Sequence, residues 1–218
     1  MTIREALCLS PRLPQLDREV LLARVLGVDR VFLIAHNETR LKPGQARRYR
    51  AFMARALKHE PIAYMVGEKE FYGRDFFVGP GVLIPRPETE LLVELALKKI
   101  SALAKSKKKC TVIDVGTGSS AIITSVFLSL ESAVRKNISW FALEKELPAL
   151  RYARKNIRRY GLSSTIHVAK SNLLATIMKP LASQDEIIVV ANLPYLSRAL
   201  YHSTEPQVKY HEPKSALV

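Results

Sequence analysis

From residue 111 onward, short apolar runs alternate with longer amphipathic stretches, and this alternation leaves few folds open. Residues 111–115, 138–143, 166–168 and 186–191 are each short, apolar and bounded by turn residues, which predicts buried strands. Residues 121–130 and 147–160 lie between them; the second carries Leu150, Ala153 and Ile157 on one face and closes at Gly161, which predicts a helix. Strands separated by helices pair in parallel, with right-handed crossovers, so the expected class is an α/β sheet of Rossmann-like type. The first strand runs into Asp114-Val115-Gly116-Thr117-Gly118-Ser119-Ser120, a turn where a ligand meets bare backbone ahead of a helix N-terminus.

The chain before residue 111 reads differently. Residues 15–26 carry apolar side chains at helical spacing and stop at Gly27, and residues 31–35 read as a further helical turn. Pro43 opens another helix, with Ala46, Tyr49, Phe52, Met53, Ala56 and Leu57 on one face. Residues 1–61 are thus a small helical unit. Residues 62–87 form a linker: Glu70-Phe71-Tyr72, Gly73-Arg74 and Asp75-Phe76-Phe77-Val78 predict a tight hairpin, followed by a segment punctuated with Gly and Pro. A helix over 88–100 then opens the α/β domain, 88–218.

Hydrophobic residues make up 48% of the 218, enough for a sizeable core, while the net charge of +14 favours an anionic partner. The cations cluster at Arg47-Arg48-Arg50, Lys98-Lys99, Lys105 with Lys107 to Lys109, and Arg151-Arg154-Lys155-Arg158-Arg159. They fit solvated helix faces and a lysine-rich loop as well as a surface near RNA or the ribosome. Aromatics do not interleave with them as on a single-strand-binding platform. Cys8 and Cys110 make neither a metal pattern nor a disulfide framework. No secretory apolar region or membrane-length run is present, so the expected place is the cytoplasm, away from membranes.

A dinucleotide turn needs a third glycine. Here Gly116 and Gly118 are followed by Ser119, Ser120 and Ala121, which points to a shorter, phosphate-free adenosine ligand. Glu144, closing the second strand, is placed to accept ribose hydroxyls. After the third strand, Asn172 is placed to meet the adenine amino group, with Leu173 beside the ring. A plain βα turn and a Ser/Asn helix cap explain the same residues.

After the fourth strand stands Asn192-Leu193-Pro194-Tyr195. An amide or adenine nitrogen is a poor nucleophile because its lone pair is delocalised. An Asn oxygen and a backbone carbonyl that accept its two N–H bonds would hold it still and aim it at an electrophilic methyl. Pro194 stiffens the loop, and Tyr195 offers a face for a planar substrate. An ordinary Asn/Pro turn is the other reading. S-adenosyl-L-methionine meets both halves of the pattern, as an adenosine without pyrophosphate and as a methyl donor.

Nearly the whole chain resembles the glutamine methyltransferases of peptide chain release factors, the HemK-like family. The resemblance rests on Glu60-Pro61-Ile62-Ala63-Tyr64, on Gly67-Glu68-Lys69-Glu70-Phe71-Tyr72-Gly73 and on Leu83-Ile84-Pro85-Arg86-Pro87-Glu88-Thr89-Glu90. The turn Asp114 to Ser119, the stretch Ala149-Leu150 through Asn156, and the tetrapeptide add to it. It implies methyl transfer to the glutamine of a Gly-Gly-Gln loop, with the helical unit recognising the release factor. It also implies Gly116, Thr117, Gly118, Ser119, Ser120, Glu144, Asn172, Leu173 and Asn192 around the donor. Asn192, Leu193, Pro194 and Tyr195 would hold the glutamine, with Asn192, Pro194 and Tyr195 catalytic and no metal required.

Four positions depart from the family pattern. Ser120 stands where glycine is preferred, Glu144 and Asn172 stand for Asp, and Leu193 stands for the first Pro. The family's chain also continues past the segment resembling residues 212–218 and adds strands. The resemblance therefore implies a truncated member with an incomplete sheet. Two other functions suit parts of the sequence: an adenine-N6 methyltransferase of ribosomal RNA, which shares Asn-Leu-Pro-Tyr, and a non-catalytic binding module left by truncation.

Overall fold

The computed structural model describes residues 1–103, 110–177 and 186–218. Lys105 and Lys107 to Lys109, one of the basic clusters, lie outside the described residues. The chain forms two compact units: Met1–Gly67 with Thr204–His211, and Glu68–Ser203 with Glu212–Val218.

The first unit is helical: α1 (Ile3–Leu7), α2 (Gln15–Leu26), α3 (Arg30–Ala35), α4 (Pro43–Ala56), α5 (Ile62–Val66) and a last helix over Pro206–His211. Its ends are set locally. Thr2 and Glu5 cap α1 reciprocally, and the Asp29 carboxylate accepts the Phe32 N–H at 2.7 Å to start α3. Gly27 and Gly67 end α2 and α5 in the left-handed region. Ile3, Leu21, Leu22, Leu33, Tyr49 and Met53 form the core, and Met65 of α5 joins it. The buried Glu19 is held by Arg30 at 2.7 Å and by Gln15 at 2.8 Å; these bonds keep its carboxyl below the usual range.

The second unit opens with a hairpin, β1 (Glu68–Phe71) and β2 (Arg74–Phe77), paired Phe71 to Arg74. The turn falls on Tyr72-Gly73, one residue earlier than the sequence suggests. Both have positive φ, 52° and 69°, as a two-residue primed turn needs. The Glu90 carboxylate accepts the Tyr72 N–H at 2.9 Å and holds it there. A 3-10 turn over Pro87–Thr89 leads into α6 (Glu90–Leu103).

The expected parallel sheet follows: β3 (Cys110–Val115), α7 (Ala121–Ser129), α8 (Ser132–Arg135), β4 (Ile138–Glu144), α9 (Leu147–Arg159), β5 (Ile166–Lys170) and β6 (Glu186–Ala191). A short helix, Arg198–His202, comes after. The strand order is β5-β4-β3-β6, so the chain builds outward from β3 and then returns to its other side. Trp140, Val112, Ile123 and Val93 centre the core on one face of the sheet. Ile113, Val115, Leu143 and Ile177 form a smaller cluster on the other.

One strand departs from its expected burial. The composition of β6 predicts a strand buried on both faces, yet only Ile188 and Val190 are buried, while Ile187 and Val189 are 44% and 49% exposed. Val189 lies beside Ile113 and on the same face. The segment that covers this face packs over Ile113, Val115 and Leu143 through Leu174 and Ile177. It leaves the outer side of β6, an edge strand among the described residues, in contact with solvent.

Candidate active site

The β3–α7 junction is held by β4. Gly116 and Thr117 both donate their N–H to the Leu143 carbonyl, at 2.8 and 2.9 Å, and Gly118 donates to Glu144 Oε2 at 2.9 Å. Three amides of the turn are thus satisfied inside the protein, which suits a ligand with no phosphate to cradle. Gly116 has φ of 71°, which calls for glycine, and a Cβ there would come to 3.0 Å from Leu193 Cδ2, so it would also press on that side chain.

Asp114 is fully buried behind the turn. Its Oδ2 accepts the Thr117 hydroxyl at 2.7 Å. The Ile123 amide is near enough to favour the charged form, but no donor meets Oδ1 with hydrogen-bond geometry. Desolvation outweighs both aids and pushes the carboxyl up to about 6, with the Glu144 charge adding to the rise. Glu144 is itself buried and accepts two backbone amides, from Gly118 and, at 2.8 Å, from Glu146 ahead of α9. Each oxygen keeps a further lone pair for a ligand hydroxyl.

A cavity of about 380 Å³ opens at the carboxyl ends of β3, β4 and β6. Of the residues singled out from sequence, Gly116, Thr117, Gly118, Ser119, Glu144, Asn172, Leu173, Asn192, Leu193 and Pro194 line it. Ser120 does not: its side chain is fully buried, with Oγ 3.4 Å from both the Ala153 carbonyl and the Thr124 hydroxyl. Tyr195 is 81% exposed and lines a smaller hollow of about 150 Å³ beside the first. Asn192, Leu193, Thr89 and Arg86 border both spaces, so the tetrapeptide stands between them.

Sequence reasoning missed part of the wall. Asn192 Nδ2 lies 3.4 Å from Thr89 Oγ1, a long contact that turns the Asn amide toward the 3-10 turn. Pro213, Ser215, Ala216 and Val218 close one side of the cavity. They are anchored by Glu212, whose buried carboxylate pairs with Arg86 and accepts the Ile84 N–H at 3.1 Å. The Leu196 N–H, bonded to the Leu217 carbonyl at 2.9 Å, ties the same segment to the end of the tetrapeptide. The Pro85 to Glu90 run was visible as a motif, but its partner at Glu212 lies 126 residues away from Arg86 with no local pattern to mark it.

In open parallel sheets, ligands bind beyond the carboxyl ends of the strands where the strand order reverses. Here that point is β3, with β4 on one side and β6 on the other, and the cavity sits on it. The architecture is a Rossmann-like parallel α/β sheet that follows a helical region in the chain. Residues 7–67 match the PrmC N-terminal domain model.

Three release factor glutamine methyltransferases give the measure of similarity. That of Burkholderia pseudomallei is 38% identical over 220 residues, spanning 99% of this chain and 72% of its own length. That of Bordetella pertussis is 36% identical, spanning 100% and 75%. That of Nitratidesulfovibrio vulgaris is 34% identical, spanning 94% and 65%, so the chain spans slightly less than two thirds of that relative. The chain belongs to the release factor glutamine methyltransferase family. Among solved structures, the N-terminal domain of human METTL16 in complex with SAH has 21% identity and a TM-score of 0.44, covering 81% of this chain and 66% of that one.

Proposed function

We propose that this protein transfers a methyl group from S-adenosylmethionine to the side-chain amide nitrogen of the glutamine in a release factor's Gly-Gly-Gln loop. The observation that carries the reading is that Asn192 borders the same cavity as the Gly116–Gly118 turn and Glu144. A nitrogen held by Asn192 would therefore face a donor held by the turn.

The cavity fits the donor. A Cβ at Gly116 would crowd Leu193, Glu144 has lone pairs for ribose hydroxyls, and Asn172 and Leu173 border the space where an adenine would lie. The donor supplies a methyl on a positively charged sulfur, which leaves as a neutral thioether without acid catalysis, while the methylated nitrogen gives up one of its two protons to solvent. The chain's own work is alignment. Asn192 Oδ1 accepts one amide N–H, and with its Nδ2 turned to Thr89 the oxygen is free for that task. A backbone carbonyl in the Leu193-Pro194 segment accepts the second N–H, and the exposed ring of Tyr195 covers the planar amide. Two accepted hydrogen bonds raise electron density on the nitrogen and fix its direction, so positioning and oriented dipoles carry the rate.

The test is transfer of labelled methyl to release factor, with naked ribosomal RNA as the competing acceptor. Label on the release factor, lost in Asn192→Ala, is the expected result. Label on RNA and none on protein would overturn the glutamine reading.

A further inference from the structure

The turn after β5 holds a strained residue at the rim of the cavity. Among the described residues, five that are not glycine have positive φ, and of these only Leu173, at 53°, lines the cavity. A Cβ disfavours the left-handed region, and leucine lacks the short polar side chain that lets Asn or Asp sit there. The next residues turn the other way: Leu174 and Ile177 pack with Ile113, Val115 and Leu143. Leu173 stays apart from that cluster and is 54% exposed. The chain thus keeps a large apolar side chain in a costly backbone conformation and in contact with water. Local strain of this kind is held where a ligand is clamped.

Ser171 maintains the shape of the turn. It is buried, and its N–H donates to the Glu144 carbonyl at 2.9 Å, one residue past the end of β5. That bond ties the turn to the residue whose carboxylate borders the cavity. The Ser171 hydroxyl donates to the Leu173 carbonyl at 2.8 Å and accepts the Thr176 N–H at 3.3 Å. It therefore closes a loop around Asn172 and fixes the peptide that follows Leu173. A hydroxyl bonded to nearby backbone in this way offers the chain an alternative to regular structure.

We propose that Ser171 is a positioning residue for the donor's base: its hydroxyl holds Leu173 in the left-handed conformation that presents the leucine side chain to the cavity. The inference rests on the reading that an adenine lies beside Asn172 and Leu173. A side chain fixed beforehand covers one face of a planar base without being ordered at the moment of binding. Without the hydroxyl, Leu173 relaxes to negative φ, its side chain leaves the rim, and that face of the base stays in water. Ser171 acts through Leu173, so its effect falls on donor binding.

The test is calorimetric titration of the full chain with S-adenosylhomocysteine, in a double-mutant cycle of Ser171→Ala and Leu173→Gly. Circular dichroism on each variant checks that it is folded. Ser171→Ala should weaken binding roughly 2- to 12-fold, the contribution of one hydrogen bond. Leu173→Gly should also weaken binding, because the covering side chain is gone, but glycine takes positive φ without strain. Adding Ser171→Ala to Leu173→Gly should therefore weaken binding by less than about 2-fold more. A hydroxyl that only stabilises the fold would lower the urea midpoint and show no such coupling in affinity. Wild-type affinity in Ser171→Ala, or equal losses in the two backgrounds, would overturn the proposal while leaving the base beside Leu173. Wild-type affinity in both Leu173→Gly and Asn172→Ala would instead place the base elsewhere and overturn the underlying reading together with the proposal.

Discussion

Asn156 pairs with the backbone of Phe77 as a neighbouring strand would. Its Oδ1 accepts the Phe77 N–H at 2.7 Å and its Nδ2 donates to the Phe77 carbonyl at 3.0 Å. The same Nδ2 also donates to the Ser119 carbonyl at 2.8 Å. One fully buried amide on α9 therefore joins the end of the hairpin to the turn that faces the cavity, and holds the backbone next to Gly118 in place.

Loss of this amide should cost more than a typical hydrogen bond. Asn156→Ala would leave a buried amide and two carbonyls without partners, at about 1–3 kcal/mol for each buried group left unmet. A destabilisation of about 3 kcal/mol is expected, read as a lower urea midpoint with an unchanged m-value. Asn156→Asp keeps the acceptor but turns a carboxylate oxygen on two carbonyls, and should be at least as harmful. A midpoint within error of wild type in both variants would show that the hairpin and turn are held by other contacts.

Ser120 offers the opposite effect. It has φ of 63°, in the left-handed region, where a Cβ costs about 1–2 kcal/mol. Its hydroxyl recovers little, since both of its contacts are 3.4 Å long. Glycine loses more unfolded-state entropy, about 0.5–1 kcal/mol, so Ser120→Gly should be stabilising by a few tenths to 1 kcal/mol. Differential scanning calorimetry should show a melting temperature higher by a few degrees. Donor affinity should change little, because the Ser120 side chain packs toward Ala153 and Thr124 and does not border the cavity.

Much of this site was legible in the sequence because it depends on short-range pattern. The apolar runs ending at Val115, Glu144 and Ala191 fixed where the strands stop, and a parallel sheet brings strand ends together. Gly116, Glu144 and Asn192 therefore converge although they are far apart in the chain. What was not legible depends on long-range packing. The Glu212 contacts to Arg86 and Ile84, and the approach of Asn192 to Thr89, have no periodic signature. Ser120 sits in the glycine-turn motif, but its side chain packs toward Ala153 and Thr124 and does not line the cavity. The uniform apolar composition of β6 does not tell which of its residues face solvent, here Ile187 and Val189.

Asp114 should give the stability curve a pH dependence of unusual sign for a carboxylate. Its folded pKa of about 6 lies above the unfolded value near 3.9, so between these pH values the folded state binds more protons. Its contribution is fully favourable below about pH 4 and is lost as pH rises through 6. The loss amounts to order 3 kcal/mol by linkage. Asp114→Asn has no charge to desolvate, so the difference between its stability curve and that of wild type should vary across pH 4 to 6 and be flat above 7. Chemical denaturation at half-unit steps would measure it. A constant difference across that window would place the titration elsewhere.

Thr89 should matter to the transfer step through Asn192. The long Nδ2 to Oγ1 contact turns the Asn amide so that its oxygen stays available to a substrate N–H. Thr89→Val keeps the shape of the side chain and removes the acceptor, which frees the amide to rotate or to point a donor at the substrate. A contact of this kind contributes about 0.5–1.5 kcal/mol, so kcat for glutamine methylation should fall by roughly 2- to 12-fold. Thr89→Ser restores the oxygen and should recover most of the rate. Calorimetric titration of S-adenosylmethionine separates this role from a merely structural one: donor affinity should stay near wild type in both variants while kcat moves only in Thr89→Val. Parallel loss of donor binding and rate would mean that Thr89 supports the cavity wall and does not orient Asn192.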